Sequence, residues 1–94
     1  MITRGTVVLH LRSRKVRQLL ADELIRLNAQ PRSTHPTLQQ QIHHAAVQEL
    51  MAKGTATPKA VAGRLYRLGL SAPSPVIETE LCHLDANLHY RLAA

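Results

Sequence analysis

Two groups of basic residues and one glycine are the places where this chain could do chemistry. Arg14, Lys15 and Arg17 fall in the first turn and a half of an apolar-periodic stretch, with Arg12 just before it. Lys59, Gly63 and Arg67 recur at i, i+4 and i+8 in a second stretch, TATPKAVAGRLYRLGLS from Thr55 to Ser71, with Arg64 beside them. Cations at a helix start are disfavoured by the macrodipole by about 0.3 to 1 kcal/mol each. Free backbone N–H groups together with side-chain cations, however, make a site for an anion. The pattern therefore predicts phosphate contact. A mid-helix glycine costs about 1 kcal/mol relative to alanine, and its place between two basic residues predicts close approach of a partner to the backbone. The competing reading is a solvated basic face with an incidental glycine, since Lys and Arg are commonest on exposed surface anyway.

Other chemistries find less support in the spacing. Six histidines and Cys82 invite a metal, but His43 with His44, and Cys82 with His83, are neighbours on helical stretches and point about 100° apart. C-H-x5-H, which reaches His89, is not a familiar zinc spacing. No base and orienting acid flank Cys82 or any serine in a recognisable pattern. Gly5, Gly54, Gly63 and Gly69 stand singly rather than in a phosphate-cradling loop. The carboxylate pairs Asp22–Glu23 and Glu78–Glu80 read as solvent-facing, with Asp22 and Arg26 at i, i+4 spacing for a surface ion pair. No metal, cofactor or enzymatic activity is expected.

The charge is unevenly spread. Residues 1–32 carry seven basic and two acidic side chains, residues 33–71 four and one, and residues 72–94 one and three, so the net +6 belongs to the first two thirds. A basic field favours a polyanion, of which nucleic acid is the commonest; solubility or an acidic protein partner are the alternatives. There is no Phe or Trp, and Tyr66 and Tyr90 are the two aromatics, whereas single-strand binding relies on bases stacking on aromatic rings. Duplex is thus favoured over single strand. Ninety-four residues predict one domain with a small Leu/Ala/Val/Ile core that gains from oligomerisation, hence a homodimer. The lone cysteine excludes an intramolecular disulfide. Neither a signal peptide nor an apolar run of about 18 residues is visible, which predicts a soluble, cytoplasmic chain with no membrane partner.

The elements that must position these residues read as follows. Thr6–Arg12 is β-branched and partly alternating and predicts a strand within an N-terminal arm, residues 1–12. Ser13 caps a helix to about Asn28 with a stripe of Val16, Leu19, Leu20, Leu24 and Leu27, leaving Ile25 outside it as a hint of a partner surface. A proline-containing loop follows. Thr37 with Gln40 forms a capping box that opens a helix to Lys53, closed by Gly54. The central stretch, expected to organise the rest, is a helix over 57–69: Thr57 caps, Pro58 takes the first position, Val61, Leu65 and Leu68 share the core face, and Gly69 ends it. Ser74 caps and Pro75 starts a helix over 75–87 defined by Ile77, Leu81, Leu84 and Leu88, and the alternation in LHYRLAA predicts a last strand over 88–93, paired with the first.

The run from helix and Gly turn through T-P-K-A-V-A-G-R-L, L-G-L-S and S-P-V-I-E-T-E-L-C-H-L to an alternating tail resembles the winged helix-turn-helix family of DNA-binding domains. The resemblance covers residues 38–94. Two features depart from it: Tyr66 and Arg67 look inserted between Leu65 and Leu68, and the stretch matching the recognition helix, 75–87, carries Glu78, Glu80 and Asp85 with no Lys or Arg. Acidic residues without cations face repulsion from phosphate. The resemblance therefore implies duplex-DNA contact through Arg14, Lys15, Arg17, Lys59, Arg64 and Arg67, with helix 75–87 left for a protein partner, and the basic field adds Arg12 to the expected phosphate contacts.

The resulting expectation is a mainly α fold, a four-helix small domain with short flanking β-strands, divergent winged-helix-like, acting as a dimeric DNA-binding transcriptional regulator. A protein adaptor or inhibitor without a nucleic-acid role is the alternative. A ribbon-helix-helix repressor using Thr6, His10 and Arg12 on its outer strand face, or a binder of structured RNA, is the third.

Overall fold

The computed structural model describes residues 8–11, 13–29 and 37–93, with the side chain of Ala93 excepted. Their order is β1 (Leu9–His10), α1 (Arg14–Ala29), α2 (Leu38–Lys53), β2 (Thr55–Ala56), α3 (Pro58–Arg67) and α4 (Ser74–Ala93). The class is mainly helical, with four helices and one short two-stranded antiparallel sheet among the described residues. Thr6, Val7 and Arg12 of the expected first strand, and most of the loop after α1, lie outside the described residues.

The helix ends form where the short polar residues and glycines place them. The Ser13 hydroxyl accepts from the Val16 N–H at 3.2 Å and its carbonyl accepts from Arg17 at 3.0 Å, which starts α1. Thr37 and Gln40 form the reciprocal capping box, with 3.1 Å from the Gln40 N–H to the Thr37 hydroxyl and 2.8 Å from the Thr37 N–H to the Gln40 side-chain oxygen. Gly54 ends α2 at φ +76°, where only glycine is unstrained, and donates to the Leu50 carbonyl at 2.9 Å. Thr57 caps α3 by accepting from Ala60 at 3.1 Å, and Pro58 sits in the first turn. At the far end Gly69, at φ +78°, donates to Tyr66 and Leu70 donates to Leu65, the paired bonds of a Schellman motif.

The hub of the fold is α2 rather than α3. It packs against α1, α3, α4 and β2, and it buries Ile42, Ala45, Ala46, Val47 and Leu50 on one broad face. A helix with so wide an apolar face sits at the centre of the packing. Around it stand Val16 and Leu20 of α1, Val61 and Leu65 of α3, and Ile77, Leu81 and Leu84 of α4. Leu9 of β1 and Ala56 of β2 pair across the sheet and close one end of this core.

Three expectations need correction. The segment 88–93 is not a strand: α4 runs unbroken to Ala93. Leu88 and Leu92 extend the Leu81–Leu84 stripe at helical spacing and pack against the core, while Tyr90, which made the segment look alternating, is exposed. The first strand accordingly pairs with β2, as Leu9↔Ala56 and His10↔Thr55, and the Leu11 N–H reaches the Gly54 carbonyl at 2.8 Å. Leu68 is 65% exposed rather than in the core, because the chain leaves helical geometry there. Finally, α4 starts one residue early: the Pro73 carbonyl accepts from Val76 and Ile77, so Ser74 is already helical.

Candidate nucleic-acid interface

The first turns of α1 present Arg14, Lys15 and Arg17 to solvent, while Val16 between them is buried. No acidic residue stands in that turn. On α3, Lys59, Gly63 and Arg67 are all exposed and form the stripe that their spacing predicts. A Cβ added at Gly63 would meet no other part of the described residues within 4 Å, so no packing among them requires glycine there. The small sheet links the two groups: β1 leads into α1, β2 leads into α3, and the strands share one ladder.

Arg64 belongs to a different set. Its guanidinium Nε donates to the Glu49 carboxylate of α2, with Nη1 3.4 Å from the Gln48 side-chain oxygen. Lys53 Nζ stands 3.3 Å from the other Glu49 oxygen. The Glu49 side chain is only 3% exposed. Burial alone would raise its carboxyl pKa, but the hydrogen bond from Arg64 and the nearby Lys53 ammonium outweigh burial and hold it below the usual value. Of the seven basic residues expected at phosphate, five are thus exposed, Arg12 lies outside the described residues, and Arg64 is committed to protein partners.

A second charged cluster was not expected. Glu23, read from sequence as solvent-facing, is buried, with 8% of its side chain exposed. Arg26 Nη2 lies 2.6 Å from each of its oxygens, His43 Nε2 of α2 lies 3.0 Å from Oε1, and Arg91 Nη1 of α4 lies 3.8 Å from Oε2. Arg26 therefore pairs with Glu23 rather than Asp22, and Asp22 accepts instead from Gln18 at 3.1 Å. Burial pushes the Glu23 carboxyl up, and the bonds from Arg26 and His43 more than reverse that, leaving it low. The signal in the sequence was Glu23 lying three residues after Leu20, on the apolar side of α1. Next to His43, His44 is lowered by burial and then by the neighbouring His43, and its Nε2 has no hydrogen-bond partner among the described residues.

Among the described residues no three His, Cys, Asp or Glu side chains converge so as to hold a metal, and Cys82 is exposed. Nor, among them, is any helix long and apolar enough to cross a membrane. No family model, curated protein or solved structure matches this chain.

Proposed function

We propose that this chain is a small duplex-DNA-binding protein, a divergent relative of winged helix-turn-helix domains that acts as a dimeric regulator. The observation that carries the reading is the exposure of Arg14, Lys15 and Arg17 at the capped start of α1 together with the Lys59–Gly63–Arg67 stripe on α3. Backbone N–H groups and cations at one helix start suit a phosphate. A glycine with open space above it lets a phosphate backbone lie against the helix. The acidic α4 takes no part in reading bases.

The test is binding of a random-sequence duplex by two variants. Arg14→Ala/Lys15→Ala and Lys59→Ala/Arg67→Ala should each weaken affinity at least tenfold with thermal stability unchanged, because exposed substitutions move stability by about 0.5 kcal/mol or less. Wild-type affinity in both would sink the assignment. Competition by duplex RNA separates shape recognition of RNA from DNA binding. A second reading, a protein adaptor, is favoured by the exposed apolar side chains Tyr66 and Leu68 at the end of α3 and Tyr90 on α4. Copurification of a stoichiometric protein without nucleic acid would support it.

A further inference from the structure

A groove of about 230 Å³ lies between α1 and α4, beside α2, and none of the basic residues assigned to phosphate lines it. Its floor is apolar, formed by Leu19 and Leu20 of α1 and Leu84 and Leu88 of α4. Its mouth holds the charges gathered by Glu23. One buried carboxylate there stands against two guanidiniums, Arg26 and Arg91, so this end of the groove carries one formal positive charge in excess, while Glu80 at the other end brings the whole lining to neutrality. Both arginines keep capacity to donate. Arg26 uses Nε and Nη2 on Glu23 and is 58% exposed; Arg91 comes no closer than 3.8 Å to that carboxylate and is 42% exposed. A guanidinium carries five N–H donors arranged to meet a carboxylate bidentately.

We propose that this groove binds a small organic monoanion, a carboxylate whose head lies between Arg26 and Arg91 and whose apolar body rests on the four leucines. Two features set the class. Glu80 also lines the groove, about three turns before Arg91 on α4, and its carboxylate, 3.8 Å from His83 Nδ1, repels a second negative charge. The volume falls below the roughly 300 to 1,000 Å³ of sites for drug-sized ligands, which limits the body to a branched alkyl group or a single ring. The site involves none of the residues assigned to phosphate and stands or falls apart from nucleic-acid binding.

The experiment is titration of phenylacetate into the isotope-labelled full chain, followed by amide chemical shifts. Saturable shifts are expected at the backbone amides of Asn87 and Arg91, which share one face of α4 at i, i+4 and both line the groove. Phenylacetamide, of the same shape without the charge, should bind at least tenfold more weakly. Arg91→Gln should cost about tenfold in affinity. Asn87→Asp, at an exposed rim position that places a carboxylate beside Arg91, should cost as much without loss of thermal stability, and it decides the matter if Arg91→Gln unfolds. Absence of saturable shifts, equal binding of the amide, or unchanged affinity in folded Asn87→Asp would overturn the proposal.

Discussion

Arg64 of α3 closes on the buried Glu49 carboxylate of α2, and this pair fixes which way α3 faces. With Arg64 turned inward, Lys59, Gly63 and Arg67 are carried to the outside. Removing one partner of a fully buried pair costs about 3 to 5 kcal/mol. Arg64 is partly exposed and Lys53 still faces Glu49, so Arg64→Ala should cost about 2 kcal/mol, a fall of roughly 10 °C in melting temperature for a domain this size. Duplex affinity per folded molecule should change little. A melting temperature within a degree of wild type would show that the pair does not hold α3.

Stability should fall in two stages on acidification. His44 has its folded pKa lowered below the ordinary 6.5, so the unfolded chain takes up that proton first, and stability declines as pH drops below about 6.5. Glu23 and Glu49 are lowered from 4.5, so their contribution is present above that value and is lost as pH falls through their folded pKa values. Urea unfolding at pH 8, 5.5 and 4 checks this. His44→Leu should remove the first stage and leave the second; an unchanged profile would contradict the assignment.

Gly63→Ala separates helix propensity from close approach. The site is exposed, helical and open above the Cα, so alanine should raise stability by about 0.5 to 1 kcal/mol. Duplex affinity should fall at the same time. A more stable protein with undiminished affinity would mean that nothing packs against the helix backbone at Gly63.

His89→Pro tests the corrected C-terminal element. His89 is exposed, and a proline inside a helix costs about 3 kcal/mol, whereas in an edge strand it is tolerated. Circular dichroism should show lost helix and a lower melting temperature. Wild-type behaviour would restore the strand reading of 88–93.

The local signals in the sequence were strong where a backbone group needs a specific side chain. Ser13, the Thr37–Gln40 box, Gly54, Thr57–Pro58 and Gly69 each mark a helix end that the structure places within a residue or two. One miss was a contest between two local periods, and the others were tertiary. Three alternating apolar residues, Leu88, Tyr90 and Leu92, contain an i, i+4 pair, and only the leucine stripe running through Leu84 tells which period wins. The exposed cations of α1 and α3 were legible because surface charge is local. Glu49 with Arg64, and Glu23 with His43 and Arg91, join residues 15, 20 and 68 positions apart, a separation that no spacing rule reaches.

The central claim is that the exposed cations neutralise phosphates. Fluorescence anisotropy of a labelled random-sequence duplex of about 30 base pairs, titrated with the protein at roughly 50 and 200 mM salt, measures this most directly. The five exposed cations give a log–log salt slope of about −4.5, so binding that is micromolar at low salt should weaken by at least a hundredfold. Absence of binding at low salt, or binding with a flat salt response, would contradict the account and turn the basic faces over to a protein partner.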